Sequence, residues 1–517
     1  MKMVKSLLLG TAAGLVAIAG AQAADYPVKG KAAAVQYVKI CSLYGDGFYY
    51  IPGTDTCLKM GGYLRVQAEY NAGNGGVIDG FNTGGMAGQA RFTRDATNDI
   101  NYRVRAAISW DVRQQTEYGT LRTYMRFGAS NQTPPTTGGG STFSPFWDRA
   151  FLQFAGFTVG RSQSFFDLVT YGGGYSIHNV RVSGDTGASG QNLWAYTAQF
   201  GNGFSATLSL EDPATRHALA INNTIAGFFG LNGGVVPCDA FAEQAAGAVC
   251  GAAGNFGFRV PDVVVNARVD QPWGLAGVSA SMHDVSGAYY TPGGVTTNAV
   301  NNGHPADTLG WAAAAGARFN LPGGDAIGAN VCGTIGATGF CSKKDGIQVY
   351  NASTSVGTGW IVDGVYGTGT NIELTRAWSA LAFYQHIWNP RWRTAWGGGY
   401  VNISYNQAAT NLINASLPAG SVCFRGPAGV VGAFSAVTPL AGNSCSPSLS
   451  YYELYMRTQW NPVAQLDIGL EVLYTHFNTA YKGPAVYAAN VARPAVGLID
   501  DQNVWSVLFR WQRNFYP

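Results

Sequence analysis

The amino-acid sequence predicts an all-β protein: a transmembrane antiparallel β-barrel of about sixteen strands. Three observations point there. From residue 57 onward, segments of about ten residues alternate apolar and polar side chains, the period-two pattern of strands with one greasy and one wet face. Connections alternate between short turns and loops of up to roughly 45 residues. Aromatic residues crowd the segment ends, as at Trp194, Tyr196, Phe200, Trp388, Trp392 and Trp460, where a membrane interface holds them. A half-buried sheet in a soluble sandwich also alternates, but its strands usually run only ~5–6 residues.

Composition agrees. The 517 residues include 70 Gly, aromatics reach 13%, and charged residues are 12%, about half the usual ~25%. With 32 Lys+Arg against 29 Asp+Glu and no basic run, nothing calls for a nucleic-acid partner. The first residues, MKMVKSLLLGTAAGLVAIAGAQAADYPV, join a basic start, a short apolar run and a small-x-small site at Ala21-Gln22-Ala23. That is a secretory signal peptide, residues 1–23, cleaved after Ala23. Residues 24–56 then form a periplasmic-side extension and residues 57–517 the barrel. Beyond the leader, no apolar run reaches the ~20 residues of a membrane helix.

The strands follow in order. In CLKMGGYLRVQAEYN, Leu58, Met60, Leu64, Val66, Ala68 and Tyr70 oppose Lys59, Arg65, Gln67, Glu69 and Asn71. RVRAAISWDVRQQTEYGTLRTYMRF, residues 103–127, reads as two strands joined by a periplasmic turn near Gln115–Gly119. VVVNARVD, SYYELYMRTQWN, QLDIGLEVLYT and the closing segment around Trp505–Phe515 repeat the alternation. Short turns are expected at Gly156-Phe157, Asn202-Gly203, Gln271-Pro272-Trp273-Gly274, Leu321-Pro322-Gly323-Gly324, Asn389-Pro390 and Asn461-Pro462. Expected strand centres lie near residues 64, 108, 124, 152, 161, 197, 208, 265, 280, 314, 328, 382, 398, 456, 471 and 510. Parity is poor near 326–332 and 376–405. Sixteen strands enclose a water-filled lumen.

Arg65, Arg103, Arg105, Arg113, Arg122 and Arg126 take the polar parity of the first three strands, so all can face one side of that lumen. Clustered charge selects ions and orients dipolar solutes. The plainer alternative is a set of solvated wall residues, none important singly. Tyr63 and Tyr124 share the parity, and Lys59, Glu69, Asp111 and Glu117 share the neighbourhood.

Eight cysteines fall into four local couples: Cys41 and Cys57, Cys238 and Cys250, Cys332 and Cys341, Cys423 and Cys445. An even count in an exported chain points to disulfides. Eight cysteines allow 105 connectivities, and nearest-neighbour pairing is the expectation, each loop closed for ~2–4 kcal/mol. The first couple closes a hairpin-like element ahead of the first strand. No C-x-x-C occurs, and the six histidines, at 178, 217, 283, 304, 386 and 476, are scattered. They compose no metal box and no Ser-His-Asp order, so no metal, cofactor or catalytic residue is named. A barrel-type outer-membrane enzyme and a secreted β-rich adhesin are the competing classes; the first lacks a convincing nucleophile and base, and the second does not explain the long and short loops.

CSLYGDGFYYIPGTDTCLKMGGYLR (41–65), RQQTEYGTLRTYMRF (113–127), DRAFLQFAGFTVGRSQSFFD (148–167) and RWQRNFYP (510–517) resemble the general porins of α-proteobacteria, of the rhizobial and Brucella type. The resemblance covers essentially the whole mature chain. It implies a homotrimer of sixteen-stranded barrels in the outer membrane, among lipid and lipopolysaccharide, placed there by the barrel-insertion machinery. Such barrels pass ions and small hydrophilic solutes by passive diffusion. It also implies that the third extracellular loop, about residues 164–191, folds inward. That loop carries the acids Asp167 and Asp185 and the bases Arg181 and His178, and its acids would face the wall arginines. Tyr516 and Pro517 follow Phe515, where many outer-membrane chains end on Phe.

Overall fold

The computed structural model describes residues 39–72, 77–78, 81–82, 100–133, 142–169, 175–177, 190–218, 220–223, 258–290, 300–342, 346–350, 355–415, 422–423, 437–487 and 496–515. The expected signal peptide, Cys238, Cys250, Asp185, Arg181 and His178 lie outside them.

Sixteen strands form one closed antiparallel barrel. In chain order they are β1 (Cys57–Ala72), β2 (Ile100–Thr116), β3 (Gly119–Gln132), β4 (Thr142–Phe154), β5 (Phe157–Ser162), β6 (Gln191–Gly201), β7 (Phe204–Glu211) and β8 (Asp262–Gln271). Then come β9 (Gly274–Val285), β10 (Thr308–Asn320), β11 (Ala326–Ile335), β12 (Arg376–Asn389), β13 (Trp392–Ser404), β14 (Leu449–Trp460), β15 (Leu466–Asn478) and β16 (Gln502–Asn514). Each pairs with its chain neighbours, and β1 closes the ring on β16, Tyr63 opposite Asn514 through Ala72 opposite Trp505. Every expected strand centre lies inside one of these strands.

The outer face is apolar. Leu64, Val66, Val104, Ile108, Val278, Leu454 and Phe509 stand exposed on it. Aromatics gather at both ends. Trp273–Phe319 and Trp392–Trp460 stack at the end with short turns, and Trp378–Tyr400 and Tyr474–Trp505 meet at the end with long connections. Trp378 and Trp388 on β12 lie on the same face, ten residues apart, and so bracket an apolar band about 25 Å tall on a tilted strand. The turn before β11 is pinned by Asp325, whose carboxylate accepts from the Ile387 N–H (2.8 Å) and the Tyr384 hydroxyl (2.7 Å) and pairs with His386 Nδ1 (2.8 Å). The Ile387 N–H, then His386 and Tyr384, hold its pKa down to about 2.

Part of the interior holds a true core. Leu381 and Phe383 of β12, Val401 and Ile403 of β13, Tyr451 and Tyr455 of β14, and Leu473 and Phe477 of β15 all point inward and are buried. They pack with Phe166, Leu168 and Val169 of the β5–β6 connection and Phe340 of the β11–β12 connection. Each such large side chain gains about 1.5–3 kcal/mol on burial. The periodicity alone pictured the inner face as polar and the apolar face as solvated by lipid; in this sector residues of two connections pack against inward-facing apolar side chains instead.

The long connections also build structure of their own. Strands 346–350, 355–361, 496–499, 483–487 and 437–439 make a second sheet. A helix, Gln407–Ala415, buries Ala409 and Ile413 against Trp360, Val365 and Tyr481. Among the described residues three disulfides are formed, Cys41–Cys57, Cys332–Cys341 and Cys423–Cys445, all in the expected couples. The first closes a hairpin in which Tyr49–Tyr50 pairs with Cys57–Leu58. Phe48 of that hairpin lies under the inward-facing Arg113, 4.9 Å from ring centre to guanidinium, so the hairpin covers the inner wall at the short-turn end.

The tightest turns obey hairpin chemistry. Between β6 and β7, Asn202 (φ 48°) and Gly203 (φ 72°) both adopt left-handed backbone, which suits a two-residue type I′ turn. Gly203→Ala would also set a Cβ 1.8 Å from the Asp270 carbonyl oxygen. This variant is expected to lose about 1–3 kcal/mol, read as earlier loss of the folded band when unboiled samples are warmed before electrophoresis. An unchanged melting profile would contradict the turn.

Candidate functional site

The arginine-bearing wall is built by β1 to β4. Cross-strand register sets Arg65 opposite Arg105, Gln67 opposite Arg103, and Arg113 opposite Arg122. Like charges directly opposed repel, so each arginine needs a partner, and the wall supplies them in three groups.

Nearest the long-connection end, Arg103 is 1% exposed and donates through Nε to Gln67 Oε1 at 2.9 Å. It is a buried strut rather than a solvent-facing charge. In the middle, Arg105 donates to both oxygens of Asp148 (3.0 and 3.2 Å) and to the Tyr63 hydroxyl (3.1 Å), its guanidinium 3.6 Å from the Phe146 ring centre. Arg126 reaches the same carboxylate at 3.2 Å. Arg65 lies close by, donating to Gln512 and resting over the Tyr63 ring. Towards the short-turn end, Arg113 and Arg122 each grip Asp111 with two donors, at 2.8–3.0 Å. Arg122 also donates to Gln153 at 3.0 Å, and Tyr124 stacks on Phe151. Two carboxylates are thus each shared by two guanidiniums. Bidentate pairing fixes guanidinium orientation as well as charge.

The six arginines share one wall, as the parity expects, but not one level. Arg105 and Arg113 are eight residues apart on β2, about 26 Å along the strand.

Sequence reasoning missed Asp148. It sits at a β-bulge: Arg126 pairs with Arg149 and Phe127 with Trp147, which leaves Asp148 between them. A bulge re-aims a side chain. Here it turns Asp148 inward, and the alternation of β4 inverts beyond it, with Trp147 and Leu152 both on the outer face. That inversion was the one trace in the sequence.

The β5–β6 connection rests on the remainder of the ring, from β7 round to β16, the neighbour of β1. The Phe165 N–H donates to Glu211 (2.9 Å), Asn266 donates to the Phe165 carbonyl (2.6 Å), and Ser279 to the Phe166 carbonyl (2.9 Å). Further on, Ser176 and the Ile177 N–H donate to Glu471 (2.8 and 2.7 Å), and Arg510 donates to the Ile177 carbonyl (2.9 Å). Tyr175 stacks on Phe383. These partners are inward-facing residues of β7, β8, β9, β12, β15 and β16. The resemblance implied that Asp167 faces the wall arginines. In the structure its carboxylate closes a buried pair with Arg216, 2.5 Å away, in the connection after β7.

A family model described as Porin subfamily matches residues 25–507. The chain belongs to this porin family. Porin Omp2b of Brucella suis is 33% identical over 282 residues, 54% of this chain and 66% of that protein. Porin Omp2a of Brucella ovis is 37% identical over 223 residues, 40% of this chain and 59% of that protein. The matched stretch thus spans just under two thirds of the first relative and less of the second. The solved structure of the outer membrane channel DcaP of Acinetobacter baumannii aligns with 90% of this chain and 99% of its own, with a TM-score of 0.54 at 13% identity; the two share a fold. Family and barrel together locate this porin in the outer membrane, and the family points to a channel rather than an enzyme.

The porin's two shared carboxylates differ in exposure: the Asp148 side chain is 4% exposed and that of Asp111 12%. Asp148→Asn is expected to destabilise the barrel by about 1–3 kcal/mol by stranding Arg105 and Arg126. Asp111→Asn should cost less, since water screens its arginines better. Thermal melting of the two variants in detergent checks the order. A larger loss from Asp111→Asn would reverse the assignment of the buried and the wetter pair.

Proposed function

We propose that the chain is a passive diffusion channel for ions and small hydrophilic solutes, working as a homotrimer. The closed sixteen-stranded barrel provides the lumen. The observation that carries the reading is the inner wall of β1–β4, where Arg105, Arg113, Arg122 and Arg126 gather around Asp111 and Asp148, with Arg65 opposite Arg105. Guanidiniums outnumber the carboxylates they hold, so this wall is basic. Facing it, the β5–β6 connection narrows the passage, seated on the inner wall through Phe165–Val169 and Tyr175–Ile177. Hydrated anions are drawn along the arginine wall, and dipolar solutes are turned by it. The trimer follows the family expectation.

Reconstitution in planar bilayers tests this. Stepwise, ohmic conductance from trimers that run as one species unboiled and as the single chain after boiling is the expected result. A folded trimer that conducts nothing would refute the channel, and a folded species of single-chain mobility would refute the trimer. Within the channel, replacing Arg105 and Arg122 with Gln should move the reversal potential in a salt gradient towards cation preference. An unshifted potential would remove the arginine wall from selectivity.

A further inference from the structure

Two histidines distant in sequence meet at the long-connection end of the barrel. His283, on the inner face of β9, is fully buried. His217 follows β7, and the two ring centres are 5.6 Å apart. Asp262, at the start of β8, sits 2.6 Å from His283 Nδ1, and Asp363, from the β11–β12 connection, 3.4 Å from His283 Nε2. One ligand atom from each of His217, His283 and Asp363 lies within 4.8 Å of the other two.

The cluster is built, not incidental. Asp363 accepts from the Thr338 N–H (2.6 Å), the Thr338 hydroxyl (2.9 Å) and the Ala218 N–H (2.7 Å). The His217 backbone is fixed by Pro213 and its ring by Phe258. Yet His217 Nδ1, His283 Nε2 and Asp262 Oδ2 are buried without a hydrogen-bond partner. Such gaps are uncommon in folded chains and ask for a missing group. The charges ask for the same thing. Asp262, Asp363 and Asp284 are 0, 0 and 4% exposed. Among the described residues, the basic side chain in contact with Asp262 and Asp363 is His283. Buried carboxylates in excess of cations are costly.

We propose that His217, His283 and Asp363 bind a divalent transition-metal ion, with zinc the best fit. Two imidazole nitrogens and one carboxylate favour zinc over the all-oxygen shells of calcium and magnesium. Asp262 is then a positioning residue: accepting from His283 Nδ1–H, it turns Nε2 towards the metal. Water fills the fourth position. Ligand atoms around a tetrahedral zinc lie about 3.3 Å apart, so the three draw in by up to roughly 1.5 Å on binding. Because the ligands come from the wall and from two different connections, the ion would staple the folded connections to the barrel.

The test uses full-length protein purified in detergent and stripped with a chelator. Titration with Zn2+, followed by calorimetry and metal analysis, should give about one ion per chain. Co2+ should give the intense visible absorption of four-coordinate cobalt. His304→Ala, which alters a histidine outside the cluster, should bind as the wild type does. His217→Ala, which leaves Asp262, His283 and Asp363 in place, should weaken binding at least about tenfold while keeping the unboiled gel mobility. Wild-type protein that takes up no zinc overturns the proposal and leaves a His283 imidazolium bridging two aspartates. Equal zinc affinity in wild type and His217→Ala overturns it too. If His217→Ala does not fold, the cobalt spectrum of the wild type decides: a weak six-coordinate spectrum rejects the site.

Discussion

Closure of the barrel is the constraint on which everything else depends. In hydrocarbon no water satisfies backbone N–H and C=O groups, so each must pair within the sheet. The ladder joining β1 to β16 removes the last edge. Once the ring is closed, outward residues on every strand meet lipid and inward ones do not. Alternation must therefore persist for a whole circuit, which is why a chain 47% hydrophobic carries no long apolar run from residue 57 onward. Deviations must be local, and the bulge at Asp148 is one: it turns that carboxylate inward and shifts the parity of β4 without opening the ladder.

That single deviation governs the arginine wall. Facing parity alone would stack Arg65, Arg105, Arg113, Arg122 and Arg126 with few counter-charges. Asp111 comes from β2 itself, on the arginine parity. Asp148 comes from β4 by way of the bulge. Each carboxylate then holds two guanidiniums in defined orientation, which lysines, as mobile point charges, would not accept so rigidly. The wall stays basic but is locally relieved of repulsion.

The strands were legible because the membrane writes the same rule on every one of them. All sixteen centres, the local disulfide couples now seen at three of their four places, and the wall carrying the arginines could be read off the spacing. The stretches of poor parity, 326–332 and 376–405, were legible in another sense. There Leu381, Phe383, Ala395, Val401 and Ile403 turn inward and are buried, because connections cover that part of the inner face. Lost alternation marked an interior core, not a doubtful strand. The pairs Asp167–Arg216 and His217–His283–Asp363 left no such trace. They join residues tens to more than a hundred positions apart, all but His283 in connections with no periodicity, and only the packing of three connections on the wall brings them together.

The two inner surfaces answer different physical needs. The β5–β6 connection presents Phe166, Leu168 and Val169 to the wall it rests on, and that wall meets them with Val264, Ala312, Leu381 and Phe383. Its backbone is held at the same time by Glu211, Asn266, Ser279 and Glu471. Apolar contact excludes water from the seat, and the polar side chains satisfy the carbonyls and N–H groups that would otherwise be stranded in it. A segment anchored in both ways keeps its place against a water-filled lumen. The arginine wall needs the reverse. Arg105 and Arg113 rest against the rings of Phe146 and Phe48, yet the side chains of Arg105, Arg113, Arg122 and Arg126 keep 14–28% of their surface exposed. An apolar seat and a wetter basic wall are thus segregated on different arcs of one closed sheet.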